Sequence, residues 1–228
     1  MTVLAFDCST QSCSTAVLSR DNVLSWRFAV MARGQSEALM PMIEETLVEA
    51  GVGWADLELI GVTVGPGTFT GIRIGLAAAR GMALAGRFPV AGVGSLEAVA
   101  YAVPEPERRD RTILVALDSK RADLFFQAFA SDLTPICEPF AAPPEAAIRR
   151  FSGPLLLAGD AAERLAAIAR DAQMSTAAGH PDARVVGRLA ALRHQNGCAL
   201  PPEPVYLRPP DVTLPATSQP IIVPGACR

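Results

Sequence analysis

What this chain lacks narrows it before anything it contains. It has two histidines, His180 and His194, at no ligand spacing, so no histidine-built metal site is signalled. Its five cysteines (Cys8, Cys13, Cys137, Cys198 and Cys227) are odd in number and scattered, with no CxxC pair. That argues against zinc and disulfide frameworks and for a reduced, cytosolic compartment. Positive charge is scarce and interrupted: the formal net charge is −3 and the pI is near 5.5. The tightest basic cluster, Arg108, Arg109 and Arg111, is broken by Asp110 and flanked by Glu105 and Glu107. A self-sufficient RNA-gripping stripe is therefore missing, and another subunit would have to supply the grip. No basic n-region precedes the apolar residues 3–6, which speaks against a signal peptide. The most apolar helical stretch, 72–85, carries Arg73 and Arg80 and is too short to span a bilayer. A soluble cytoplasmic protein with no membrane partner is expected.

Half of the 228 residues are apolar, enough to bury a core in one large domain or in two small ones sharing a hinge. Residues 3–6 read as a strand, Asp7-Cys8-Ser9-Thr10-Gln11 as a polar turn, and 14–18 and 23–30 as two further strands. Leu39, Ile43 and Leu47 recur every four residues, the spacing of one helical face. Pro41 implies that this helix either begins late or bends, because an interior proline costs about 3 kcal/mol. Residues 59–64 form a buried strand that ends in Gly65-Pro66-Gly67. Thr68 and Thr70 are both able to cap the helix that follows to about Gly86. A strand at 89–93 and a helix at 96–103 complete the first half. Residues 104–110 are polar and proline-bearing and mark a boundary.

The second half opens as the first did, with a strand at 113–117, a turn Asp118-Ser119-Lys120-Arg121, and a returning strand at 124–129. A strand at 155–158 and helices at 161–172 and 185–193 follow. An aspartate closes the first strand of each half, at Asp7 and Asp118. A polar turn suits any hairpin, but both halves also continue into αβα patterns, so a duplicated βββαβα unit is the sharper reading. The expected organisation is a lobe at 1–105, a second at 106–208 and a proline-rich tail at 209–228.

The segment GPGTFTGIRIG at 65–75 resembles the signature of the TsaB/TsaD family. The likeness is closest to the TsaB branch and looser to the catalytic TsaD branch. The blocks VLAFDCSTQSCSTAVL, SEALMPMIEETL, PVAGVGSLEA, ALDSKRADLFF and EPVYLR resemble TsaB in the same order. They touch most of residues 1–130 and a patch at 203–208. The resemblance implies the α/β actin/Hsp70/sugar-kinase fold, two similar lobes each with a mixed sheet. It also implies a role in placing threonylcarbamoyl on a tRNA adenosine. This chain would be the non-catalytic scaffold that binds and activates TsaD, with the ATPase TsaE joining, tRNA met only indirectly, and a homodimer in isolation.

The sites that would carry chemistry point the same way. A glycine-rich turn before a helix aims free N–H groups at an anion, yet Gly65 and Gly67 also simply permit a tight turn stiffened by Pro66. The second reading is preferred, since the P-loop lysine is missing. By the resemblance, phosphates would sit on the two hairpin turns, but neither turn contains glycine. The candidate adenosine turn, Ala158-Gly159-Asp160, has one glycine and then a carboxylate, which repels polyphosphate. Asp7, Ser9, Asp118 and Gly159 are thus vestigial candidates, and no cofactor is expected. Where TsaD carries an HxxxH metal pair, Ser95 and Val99 stand here, and valine ligates nothing. Ser9, Ser14, Cys8 and Cys13 lie near Asp7, but no histidine is placed by sequence to act as their base. No catalytic residue is expected.

The helix from 72 to 84 is apolar almost all round, which predicts burial on more than one side. Arg73, Ala77, Arg80 and Leu84 form a mixed stripe suited to an interface, where arginine is enriched. Gly75, Ala78 and Gly81 would let another helix approach. Met40 and Met42 lie outside the neighbouring helix's core stripe and suit an adaptable contact. Met40, Met42, Arg73, Ala77, Arg80, Gly81 and Leu84 are the expected partner-binding residues. The rival readings are an ATP-dependent kinase or hydrolase of the same fold, and a homodimeric adaptor unrelated to tRNA.

Overall fold

Each half of the chain builds a five-stranded mixed sheet, and the two sheets share one topology. The computed structural model describes residues 1–169 and 171–208; the expected tail at 209–228 lies outside the described residues. In the first half, β1 (Thr2–Asp7), β2 (Ser12–Ser19) and β3 (Asn22–Val30) form an antiparallel meander. It is followed by α1 (Gln35–Ala50), β4 (Leu59–Gly65), α2 (Phe69–Gly86), β5 (Val90–Gly94) and α3 (Ser95–Ala102). A four-residue helix, α4 (Glu105–Arg108), occupies the boundary segment. The second half runs β6 (Thr112–Asp118), β7 (Leu124–Phe129), β8 (Phe140–Ala142), α5 (Pro144–Ile148), β9 (Leu155–Ala158), α6 (Ala162–Ala166), β10 (Gln173–Met174) and α7 (Ala183–Gln195). The strand orders are β3-β2-β1-β4-β5 and β10-β9-β6-β7-β8. Reading the second from its far end reproduces the first, so the duplicated βββαβα unit is present.

Period-two alternation explains the uninterrupted apolar reading of β1. Leu4 and Phe6 face α1 and α2, among Leu39, Ile43, Leu47, Ile72 and Leu76. Val3 and Ala5 face the opposite way, against Val186, Leu189 and Ala190 of α7. A strand covered on both faces has no polar face to show.

That second layer of helices crosses the chain's midpoint. α3, from the first half, packs Leu96, Val99 and Ala100 against Ile113, Val115 and Leu117 of the second sheet. α7, from the second half, packs on the first sheet. A cut at 105/106 therefore separates the strands of the two lobes but not their helices.

β8, α5 and β10 were not expected from sequence, the bounds of α6 and α7 differ, and one of the two alternatives for α1 is excluded. α1 does not begin late: it starts at Gln35 and carries Pro41 in its interior. Pro41 and Glu37, whose carbonyl loses its partner, are both exposed, so water meets the orphaned group. α6 is five residues long rather than twelve. The Ile168 and Ala169 amides both turn back to the Leu165 carbonyl, and Ile168, 40% exposed, offers little burial to hold another turn. α7 starts two residues earlier than expected because the Asp182 side chain accepts from the Arg184 amide at 2.8 Å. Among the described residues no helix is long and apolar enough to cross a membrane.

Candidate functional site

The two hairpin turns are built alike. In the first, Asp7 Oδ1 accepts from the Ser9 amide at 2.9 Å; in the second, Asp118 Oδ1 accepts from the Lys120 amide at 2.8 Å. Each aspartate thus bonds the backbone two residues on, the Asx-turn arrangement. An amide that might have held an anion is in each case taken by the chain's own carboxylate.

Asp7 is fully buried and ties four segments together. Its Oδ1 also accepts from Ser9 Oγ and Thr63 Oγ1, both at 2.6 Å, and Oδ2 from Ser12 Oγ at 3.5 Å. Ser95 Oγ, at the head of α3, donates to Ser9 Oγ at 2.9 Å. Burial pushes the Asp7 carboxyl above the usual carboxylate range, against the pull of the Ser9 and Thr63 hydrogen bonds and of His180. Asp118 is more open. Burial raises it, but the Lys120 ammonium at 2.8 Å, the Lys120 amide and Arg164 outweigh that and hold it below its ordinary value.

The space between the turns is occupied by the chain itself. Asp160 Oδ1 accepts from the Asp118 amide at 2.8 Å. His180 Nδ1 lies 3.0 Å from Thr10 Oγ1 and 3.7 Å from Asp160 Oδ2, linking the first turn to the second half. Sequence had placed no histidine here, and 170 residues separate this pair. The trio is not a relay: the hydroxyl and the carboxylate approach the same ring nitrogen, whereas a nucleophile and an orienting carboxylate need opposite ones. The vestigial candidates Asp7, Ser9 and Asp118 therefore serve the turns. Gly159 (φ +104°) lies where a β-carbon would stand 2.0 Å from the Ala116 carbonyl oxygen, so its bareness serves packing against β6.

The glycine-rich loop after β4 resolves in the same direction. A β-carbon at Gly67 would stand 2.1 Å from the Ser9 carbonyl oxygen, and one at Gly71 1.9 Å from that of Cys8. The Thr68 amide donates to the Ser9 carbonyl at 2.7 Å, and the Gly71 amide to Thr68 Oγ1 at 3.2 Å. The Thr68 amide at the start of α2 thus holds the first turn, and Thr68 rather than Thr70 is the cap.

The partner-binding candidates divide. α2 buries a single face, through Gly71, Ile72, Gly75, Leu76 and Ala79, rather than two. Ala77, Gly81 and Leu84 are exposed, Leu84 at 86%, and a β-carbon at Gly81 would meet nothing. Gly75 instead faces Val62, and Ala78 packs on the core, so neither offers a helix approach. Met40 is exposed at the surface of α1, but Met42 is partly buried against the core, because its position follows the helix's inner edge. Arg73 and Arg80 are exposed yet engaged. Arg73 Nε donates to Tyr206 Oη at 3.0 Å, and Arg80 Nε to the Pro202 carbonyl at 3.0 Å. The 200–206 segment is thereby stitched to α2, helped by the Val205 amide on the Val64 carbonyl at 2.8 Å. That contact was not legible, since 122 or more residues separate its partners.

Comparison with known proteins places this geometry in context. The family model described as TsaD, tRNA N6-adenosine threonylcarbamoyltransferase, matches residues 29–195. The Escherichia coli K12 protein named tRNA threonylcarbamoyladenosine biosynthesis protein TsaB is 30% identical over 132 residues, 58% of this chain and 56% of the relative. The Bacillus subtilis protein of the same name is 34% identical over 100 residues, 44% of each. The chain spans about half the length of the curated relatives it matches. A solved Pseudomonas aeruginosa chain, described as similar to peptidase YeaZ, superposes with a TM-score of 0.74 at 26% identity. That alignment covers 91% of this chain and 99% of the other. The Clostridium difficile activator of 2-hydroxyisocaproyl-CoA dehydratase shares the fold alone, at TM-score 0.55 and 10% identity over 86% of this chain and 97% of that one. The architecture is the two-lobed, actin-like α/β fold.

Proposed function

Because this chain belongs to the TsaB/TsaD family, we propose that it serves tRNA threonylcarbamoyladenosine synthesis without catalysing a step, by binding a catalytic TsaD subunit and favouring its competent conformation. The observation that carries this reading lies on α3. Ser95 and Val99 stand where the resemblance puts a metal-binding histidine pair, and both are fully buried. Ser95 is tied to Ser9, and Val99 belongs to the core against the second sheet. A valine has no donor atom, so the position holds packing rather than a ligand.

The outer face of α1 and α2, with Met40, Ala77, Gly81 and Leu84, is the proposed contact. In isolation the same face would pair two copies, and TsaE would join the assembly. A subunit that binds one state of its partner more tightly shifts the partner toward that state. With an acidic balance and no basic stripe, this chain leaves the grip on tRNA to that partner, and the cytoplasm is the expected setting.

Reconstitution of tRNA modification from its purified components, with and without this chain, tests the reading. Mass spectrometry of the nucleosides should find threonylcarbamoyladenosine only when the chain is present. Full-rate modification in its absence would overturn the assignment.

A further inference from the structure

The outer edge of the first sheet is open. β3 pairs with β2 on one side only, and no backbone hydrogen bond joins residues 25–30 to any other segment among the described residues. An unpaired edge presents a row of free N–H and C=O groups to any extended chain. Edges that must avoid such contact carry lysine, proline or a bulge. Here Leu24 has no partner across the sheet, a bulge that blunts the start of the strand. The regular stretch that follows, 25–30, has neither lysine nor proline. Its one charge, Arg27, is held by Glu45 and Glu49 of α1. Trp26 and Val30 stand exposed.

A cavity of about 520 Å³ adjoins this edge on the face that α7 covers. Val23 and Trp26 of β3, Tyr101 of α3, Asp182, and Arg184 and Arg188 of α7 line it. α1 and α2 pack on the opposite face of the sheet, so the cavity is separate from their outer surface. Asp182, the one carboxylate in the lining, is matched by Arg184, whose Nη2 and Nε reach it at 2.6 Å and 3.0 Å. The Arg184 guanidinium also lies 3.8 Å over the Trp26 ring. Arg188, one turn further along α7, is exposed and has no carboxylate or hydrogen-bond partner among the described residues. The Trp26 indole N–H and the Tyr101 hydroxyl likewise make no hydrogen bond there. Glu97, beside Tyr101, is already paired with Arg193. The lining thus carries one cation in excess, next to two rings with free donors. Its chemical complement is a carboxylate beside an apolar group. We propose that the β3 edge takes up an extended segment of a partner protein by strand addition, with an acidic side chain of that segment on Arg188 and an apolar one against Trp26. Main-chain bonds supply the affinity of such a contact, and the cavity selects among the alternate side chains that face it. The proposal stands on the β3 edge and its cavity and not on the partner-binding reading of α1 and α2.

The test titrates the full chain into a fluorescein-labelled octapeptide of alternating valine and glutamate, and into its valine–lysine counterpart, following anisotropy. The acidic peptide should bind saturably and about tenfold more tightly than the basic one, a charge-assisted hydrogen bond's worth, with salt narrowing the gap. An N-methylated acidic peptide, which keeps every side chain but no main-chain donor, should not bind. Arg188→Ala should bring the acidic peptide down to the affinity of the basic one, and Arg188→Lys should restore part of the preference. Trp26→Ala should weaken both peptides. Arg149→Ala removes an exposed cation of the second half and should bind as wild type, with circular dichroism confirming that each variant is folded. Absence of saturable binding of the acidic peptide, equal binding of its N-methylated form, or wild-type affinity in folded Arg188→Ala would overturn the proposal. So would displacement of the peptide by phenylacetate at equal concentration, which marks a small-acid site. A change of oligomeric state in Trp26→Glu on size-exclusion chromatography would assign the edge to a second copy instead.

Discussion

Adding one methyl group to either of two glycines on α2 has opposite expected results. At Gly71 the new carbon would meet the Cys8 carbonyl oxygen at 1.9 Å, a backbone atom with no freedom to move aside. Gly71→Ala should destabilise the protein by about 3 kcal/mol, a fall in Tm on the order of 10 °C. At Gly81 the carbon meets nothing, and Gly81→Ala should raise stability by about 0.5–1 kcal/mol through helix propensity. Thermal unfolding of the pair measures both. Asp7 gives a pH test. Its carboxyl is raised by burial, so the folded state holds the proton more tightly than the unfolded chain does. The stability this contributes is fully present below the unfolded value, about pH 4, and is lost as pH rises through the folded value. Asp7→Asn removes that loss while its amide oxygen still accepts from Ser9 and Thr63. The variant should therefore gain on wild type as pH rises, with a slope up to about 1.4 kcal/mol per pH unit. Asp160 and Glu97, raised by burial as well, are present in both proteins. A difference flat in pH between 4 and 8 would refute the assignment. None of this was legible from DCST or GPGTFTG alone, because the clash and the burial come from segments about 55 to 90 residues away.

At the scale of elements, α2 works on two sides. Its inner side closes the first sheet and clasps the first turn; its outer side leaves Ala77, Gly81 and Leu84 bare. Ala77→Glu or Gly81→Arg should abolish association while the circular dichroism spectrum stays unchanged. Size-exclusion chromatography reads the first outcome, and a folded variant that still associates would move the interface elsewhere. Element reading from sequence worked where a pattern met a covered face. The Leu39, Ile43, Leu47 spacing and the apolar run of β1 are direct imprints of packing on one and two faces. It left the start of α1 open, where Pro41 sits inside the helix because its neighbours are solvated, and it failed at α6, which stops where apolar burial runs out. The expectation that α2 would be buried on more than one side failed, since small residues expose little apolar surface.

For the molecule as a whole, the region between the lobes is knitted by Thr10, His180 and Asp160, with the turn amides of Ser9 and Lys120 already engaged. Calorimetry with ATP and magnesium should therefore show no low-micromolar site, which corresponds to about −8 kcal/mol; affinity at or beyond that would restore the kinase or hydrolase reading. The aspartate-ended strands revealed the duplication, but they could not reveal that α3 lies between the two sheets and that α7 of the second half covers the first. That arrangement has a consequence on the ribosome. The inner face of the first sheet (Val3, Ala5, Ala16, Leu18, Leu59) is covered by Val186, Leu189 and Ala190. β5 ends at Gly94 and α7 at Gln195, so the finished sheet waits for its cover while the intervening chain is translated. At 5–20 residues per second that wait is roughly 5–20 s, during which the nascent N-terminal half has only Ala98 of its own α3 to lay on that apolar face.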